Sequence, residues 1–287
     1  MNKIDTKEIK VLLDPSVELA STIVADATVE AEYGDTCVEG RVVTLAHHGT
    51  RSMNPAPCNW DVTPLNSGVI LVSHIDLDTV GGCLALMGLK PEDPEFWAGA
   101  EYVDVNGPHH IHELSMEVQS KLNAVYAWRA EMRQNQQQSR IVEVTDVTET
   151  IYEWLSILNL VTGNPDEGWI AKGKQWSESI TAQVESKLVD ENETVRTFVT
   201  DGVFCSSSYY SPTLHVLCKA TVVLNTRFNS ITVGIADTTA VSAKDFVQSI
   251  WGENAGGHRG IAGSPRGQQM TKEDLMYVCK KLQDTLQ

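Results

Sequence analysis

The chain lacks the cysteine pattern of a zinc ribbon or a disulfide framework: Cys37, Cys58, Cys83, Cys205, Cys218 and Cys279 are scattered without a C-x-x-C pair. They read as reduced thiols. No run approaches the roughly 18 apolar residues of a membrane span, and the opening M-N-K-I-D-T-K-E-I-K is too polar for a secretory signal. A cytoplasmic protein with no membrane partner is expected. Positive charge is scarce as well. Lys and Arg number 22 against 38 Asp and Glu, a net charge of -16, which repels a long polyanion and argues against extended duplex DNA as a partner. Small phosphorylated substrates remain compatible. What the composition does supply is 42% apolar residues over 287 positions, enough for two domains or one large α/β domain.

The chain is organised around Gly68 to Gly82, G-V-I-L-V-S-H-I-D-L-D-T-V-G-G. Val69 to Val72 has the continuous β-branched and aliphatic pattern of a strand buried on both faces. A paired-glycine turn then leads into the helix-like segment Cys83 to Met87. Between them stand His74, Asp76 and Asp78. Residues spaced by two point to one side of a strand, so these three can converge at a strand's carboxyl end, where open α/β sheets place ligands. Two carboxylates and an imidazole suit a hard or borderline divalent cation such as Mn²⁺ or Mg²⁺. A solvated loop is the alternative.

Ser16 to Tyr33 carries apolar residues at helical spacing, with Asp14 as a cap, Pro15 in the first turn and Gly34 as a stop. Arg41 to Ala46 alternates like a strand and ends in His47 and His48. Those two are either a second ligand or substrate contact, or histidines that simply bond nearby backbone. Glu101 to Val105 reads as a short strand carrying Asp104, followed by a loop crowded with His109, His110 and His112. Ser115 to Gln138 is helical in pattern, Ile141 to Thr145 strand-like, and a helix follows through Leu160. Asp146 is either that helix's first-turn acid or a late metal carboxylate. The segment 163–192 reads as loop and polar helix, a natural linker, with the boundary near Asp190. Beyond it, strand-like runs at Val195 to Thr200, Leu214 to Leu224 and Ile231 to Ile235 precede helices at Ala243 to Ile250 and Lys272 to Leu286, a mixed α+β pattern. Between those helices, Gly252 to Gly267 reads G-E-N-A-G-G-H-R-G-I-A-G-S-P-R-G. Its glycines free backbone amides to approach an anion, and His258, Arg259 and Arg266 add donors for phosphate oxygens.

Two stretches resemble one family. V-S-A-K-D-F-V-Q-S-I-W-G-E-N-A-G-G-H-R-G-I-A-G looks like the substrate-binding segment of the DHH/DHHA1 phosphoesterases, and H-I-D-L-D-T-V-G-G is similar to that family's first metal motif. The resemblance implies an α/β fold with an N-terminal parallel-sheet DHH-like metal-binding domain (1–190) and a smaller C-terminal α+β DHHA1-like domain (191–287). It implies two Mn²⁺ ions, with Mg²⁺ the other candidate, held by His74, Asp76, Asp78, Asp104, His110 and Asp146. His109 and His110 stand where the namesake His-His would be and are the implied catalytic pair, but Pro108 occupies the place of the preceding aspartate. Gly256, Gly257, His258, Arg259 and Arg266 are the implied substrate contacts. The implied activity is two-metal hydrolysis of phosphoester bonds in short oligonucleotides, cyclic dinucleotides or nucleotide bisphosphates, with a homodimer among the expected states. A silent nucleotide-binding protein with a degenerate metal site is the alternative, and a pyrophosphatase is disfavoured by the Gly-Gly-His segment.

Overall fold

The computed structural model describes residues 9–14, 16–33, 36–48, 51–135 and 143–286. The chain divides into two compact units, 1–177 and 178–287. The second unit thus begins ahead of the boundary expected near Asp190, because the end of the preceding long helix packs with it.

The first unit is built on a five-stranded sheet. Its strands are β1 (Ile9–Leu13), β2 (Ala27–Val29), β5 (Val43–Leu45), β6 (Gly68–Val72) and β7 (Thr145–Asp146), in the order β5-β2-β6-β1-β7. All neighbours are parallel except β7, which runs antiparallel along β1. A two-stranded hairpin of β3 (Glu32–Tyr33) and β4 (Thr36–Cys37) lies apart from this sheet. Helices α1 (Val17–Ala20), α2 (Leu77–Met87), α3 (Pro94–Asn106), α4 (Met116–Asn135), α5 (Thr148–Val161) and the start of α6 (Glu167–Glu185), which runs on past the boundary at 177, complete it. The central strands carry fully buried Val11, Ala27, Val29, Ile70 and Val72 into a core shared with α2 to α5. The continuous apolar run at Val69 to Val72 is therefore what its pattern said, a strand with parallel neighbours on both sides.

Several local expectations need correction. The helix read over Ser16 to Tyr33 is one short turn, Val17–Ala20, followed by β2. The β-branched Thr28 and Val29 pair with both β5 and β6, and Asp26 Oδ2 accepts from the Val69 amide at 2.8 Å, so strand pairing overrides the helical spacing. Pro15 and Gly34 lie outside the described residues, as do 136–142, which hold the first two residues of the strand read at Ile141 to Thr145; of the rest, Thr145 opens β7. The strand read at Glu101 to Val105 is the last part of α3. Asp93 caps that helix by accepting from the Phe96 amide at 3.1 Å, and Pro94 opens it with its fixed φ. Gly81 and Gly82 form no turn but lie inside α2, where a Cβ would meet Cys58 at 2.4 Å and Pro57 at 2.8 Å. They let the helix approach the 3-10 turn Pro57–Asn59.

The second unit carries a six-stranded sheet. Its strands are β8 (Leu188–Glu191), β9 (Val195–Thr200), β12 (Ala220–Asn225), β13 (Ser230–Ile235), β14 (Gly256–Gly257) and β15 (Ile261–Gly263), in the order β14-β15-β13-β12-β9-β8. Only β9 and β12 pair in parallel. The run read at Leu214 to Leu224 is two strands, the second being β12. The first belongs to a small hairpin of β10 (Tyr210–Ser211) with β11 (Val216–Leu217). Helices α7 (Ala243–Trp251) and α8 (Lys272–Leu286) pack against one face through Val222, Leu224, Val233, Val247 and Leu282. Phe198, Cys205 and Val223 form a smaller cluster with Val184. Among the described residues no helix is long and apolar enough to cross a membrane.

Candidate metal centre

Three adjacent parallel strands end side by side. Val29 pairs with Leu45 on one side and Val72 on the other, so the residues after β5, β2 and β6 meet at the same sheet edge. These are His47 and His48, Glu30, and the His74 to Asp78 segment. Glu30 is bound in place by its amide, which donates to the Leu45 carbonyl at 2.9 Å, and by the Ser73 hydroxyl, which donates to its own carbonyl. Its φ of 44° lies in the left-handed region that costs a non-glycine residue, a conformation kept where the surroundings over-determine it.

The side chains converge on His47. Its Nε2 lies 3.2 Å from Asp104 Oδ2, 3.6 Å from Asp78 Oδ2 and 3.6 Å from Glu30 Oε1, while His48 Nε2 lies 3.6 Å from Glu30 Oε2. Glu30, His47 and Asp78 are at most 5% exposed. Within the first unit, two groups bring one donor atom per residue to within 4.8 Å of each other: His47, Asp78 and Asp104, and Glu30, His47 and His48. His47 belongs to both.

The electrostatics follow from crowding carboxylates in a poorly solvated place. Burial works against a charged His47, but hydrogen bonds to Asp104 and Asp78 and the Glu30 charge overcome it and raise its pKa to about 10. Burial raises Asp78 to about 7, with the Asp76 charge adding to it and the bond to His47 opposing. The proton on His47 thus acts as the cluster's cation. Mixed carboxylate and imidazole donors at this spacing are also the ligand chemistry of Mn²⁺, Mg²⁺ or Zn²⁺. The residues present fit a divalent cation.

The positions singled out from sequence distribute as follows. Asp78 and Asp104 enter the group around His47, and Asp104 does so from the last turn of a helix. His74 and Asp76 pair with each other, Nε2 to Oδ2 at 3.1 Å, and the Asp76 side chain also caps α2 by accepting from Thr79 at 3.3 Å. The bond to Asp76 raises His74 to about 9 against the effect of burial. Burial opposes ionisation of Asp76, but His74 and other hydrogen bonds hold its carboxyl well below the usual range. His109 and His110 sit on the 3-10 turn Pro108–Glu113, their rings 4.4 Å apart, and His110 Nδ1 lies 3.0 Å from Glu113 Oε1. Asp146 is exposed at the end of β7, its Oδ1 accepting from the Thr148 amide at 3.0 Å and hydroxyl at 2.6 Å. It thus stands two residues ahead of α5, whose first-turn acid is Glu149.

Glu30 was missed from sequence because the helical spacing of residues 17–27 hid the strand before it. Its signal is the short run Ala27 to Val29 ending in an acid, the same strand-then-ligand grammar seen at Val72 and His74. His47 and His48 were in view but undecided.

In the second unit, Gly256, Gly257 and Arg266 line a cavity of about 820 Å³ together with Ser230, Thr232, Asn254, Ser264 and Gln268. His258 and Arg259 are exposed on the β14–β15 connection, where the His258 amide donates to the Ile261 carbonyl and the Arg259 carbonyl accepts from Ala243.

No family model matches the chain, and no curated protein matches it. Among solved structures it is similar to the pGpG-specific phosphodiesterase PggH from Vibrio cholerae, at 12% identity and a TM-score of 0.49 over 96% of this chain and 88% of that one. It is similar also to an uncharacterized protein from Helicobacter pylori G27, at 11% identity and a TM-score of 0.24 over 78% of this chain and 76% of that one.

Proposed function

We propose that the chain is a metal-dependent phosphoesterase acting on short nucleotide substrates, with Mn²⁺ the leading cation. The observation that carries this is the convergence of Asp78, Asp104 and His47, with Glu30 and His48 alongside, at the carboxyl ends of three parallel strands. Asp78, Asp104 and His47 would hold one cation, and Glu30 and His48 would contribute to a second. A divalent cation there supplies charge neutralisation for the attacked phosphoryl group and acidifies water. The chain's own residues do the rest. Asp76 holds His74 by its Nε2 atom and Ser73 Oγ lies 3.0 Å from its Nδ1, so a half-exposed imidazolium stands beside the cluster as a fixed positive charge facing a phosphoryl group. The strand-end backbone fixes the carboxylates and limits reorganisation during the reaction. The glycine amides, Arg266 and the amide side chains of Asn254 and Gln268 offer a second-unit cavity suited to a nucleotide phosphate and base edge.

The test is hydrolysis of the dinucleotides pApA and pGpG with and without Mn²⁺, for wild type and His47→Ala. Mn²⁺-dependent release of mononucleotide that His47→Ala abolishes is expected. No turnover of either dinucleotide, of a cyclic dinucleotide or of a nucleotide bisphosphate would refute the reading.

A second reading, a nucleotide-binding protein without turnover, draws on the protonated His47, which already balances part of the cluster's charge without a metal. Nucleotide binding that is indifferent to chelator, with no hydrolysis, would favour it.

A further inference from the structure

The turn between β6 and α2 carries His74, Asp76 and Asp78 within five residues, yet its backbone lies beyond the end of the β6 ladder. Its middle carbonyl, Ile75, is bound from outside. Arg129, on α4, donates from Nη2 to Ile75 O at 2.9 Å. The guanidinium is itself seated, 5.5 Å over the ring of Trp154 on α5, and the buried Trp154 is braced edge-on by Trp128 at 5.0 Å. A planar guanidinium can lie over an indole and donate in its own plane at once.

We propose that Arg129 is a positioning residue that fixes the Ile75 carbonyl and thereby the turn that carries Asp78 to the cation site. This rests on the metal-dependent reading of that site. Its bond is to the backbone, three residues ahead of Asp78. Partners one shell removed from a metal characteristically change affinity tenfold to a hundredfold when lost. A loss of ligand placement weakens the cation without weakening the fold in proportion, because the helix packing around Trp154 is apolar and persists.

The experiment is Mn²⁺ titration calorimetry paired with thermal melting of the metal-free protein, for wild type, Arg129→Met and Arg129→Lys. Met keeps the aliphatic stem on Trp154 and removes both charge and donor. The expected result is about a tenfold weaker Mn²⁺ affinity for Arg129→Met, with a melting temperature close to wild type. Arg129→Lys should fall between, roughly threefold weaker, since one donor survives without the planar seat. Wild-type affinity in a folded Arg129→Met variant overturns the proposal. So does a loss of affinity that only tracks lost thermal stability in both variants, the mark of a purely structural clamp. Should Arg129→Met not fold, Arg129→Lys decides: unchanged affinity overturns the proposal and a threefold loss at wild-type stability supports it. Absence of Mn²⁺ binding by wild type would instead remove the cation-site reading and this proposal with it.

Discussion

Each unit buries charged side chains, and the two do so in opposite ways. In the second unit, Arg196 is 1% exposed, and its guanidinium is saturated. Nη2 donates to both Glu185 oxygens at 2.7 Å, Nε to Glu191 at 3.1 Å, and Nη1 to the carbonyls of Ser208 and Tyr210 at 2.9 and 2.6 Å. One cation faces two carboxylates in bidentate and in-plane geometry, and the group ties α6, β8 and β10 to β9. In the first unit the ratio is reversed. Glu30, Asp78 and Asp104 surround one imidazole nitrogen at 3.2 to 3.6 Å, three carboxylates competing for one N–H, and His47 holds a proton far above its ordinary range. A buried charge whose partners satisfy it in number and direction serves the fold. One whose partners are in excess is a candidate for a ligand.

The comparison yields outcomes that can break it, from the largest to the smallest. Asp78→Asn should lower dinucleotide turnover by about 10³-fold, roughly 4 kcal/mol of transition-state stabilisation. Yet metal-free Asp78→Asn should melt no lower than wild type, since it removes one of several crowded carboxylates; single-turnover kinetics and melting curves check the two halves. Arg196→Met should cost about 3–5 kcal/mol in urea unfolding, because it strands Glu185 and Glu191 and two carbonyls.

Asp93 sharpens the contrast inside the first unit, being a satisfied charge at the opposite end of the helix that carries Asp104. It accepts from Lys121 at 2.8 Å, Phe96 at 3.1 Å and Gly163 at 3.2 Å, which hold its carboxyl below the usual range against the opposing effect of burial. A carboxyl with a lowered folded-state pKa stabilises fully above its unfolded value, near 3.9, and that contribution is lost as pH falls through the lower folded value. Acid unfolding below about pH 4 should therefore be shallower in Asp93→Asn, which should also cost about 2 kcal/mol at neutral pH. The smallest effect belongs to the cavity. Arg266→Ala should raise the dinucleotide KM about fivefold, roughly 1 kcal/mol, with kcat nearly unchanged, the pattern of lost ground-state binding.

Much of this architecture is legible in the sequence, for identifiable reasons. Val69 to Val72 is apolar enough that only a paired strand buries it, Val195 to Thr200 is rich in β-branched residues, and Lys272 to Leu286 has both the spacing and the length of its helix. Asp76 and Asp78 were legible because a strand, two acids and a helix start within eleven residues. Asp104 was found as a residue but misplaced on a strand: the β-branched Val103 and Val105 suggested one, whereas the Asp93-Pro94 cap ten residues earlier committed the segment to a helix. Glu30 has only the short run Ala27 to Val29 as its local signal; its role depends on β2 lying between β5 and β6, a pairing of segments up to 43 residues apart that no local pattern encodes. The same non-local pairing is what turns His47 from an ordinary strand-end histidine into the centre of the cluster.

The central claim is that the first-unit cluster is built for a cation, and thermal melting with and without Mn²⁺ addresses it most directly. A ligand at one hundred times its Kd stabilises by about 2.7 kcal/mol. Wild type should therefore melt several degrees higher in Mn²⁺, and Asp78→Asn should show no shift while being no less stable without metal. A wild-type melting point indifferent to Mn²⁺ and Mg²⁺, or an Asp78→Asn variant as destabilised as Arg196→Met, would contradict it and make the cluster a structural ion network.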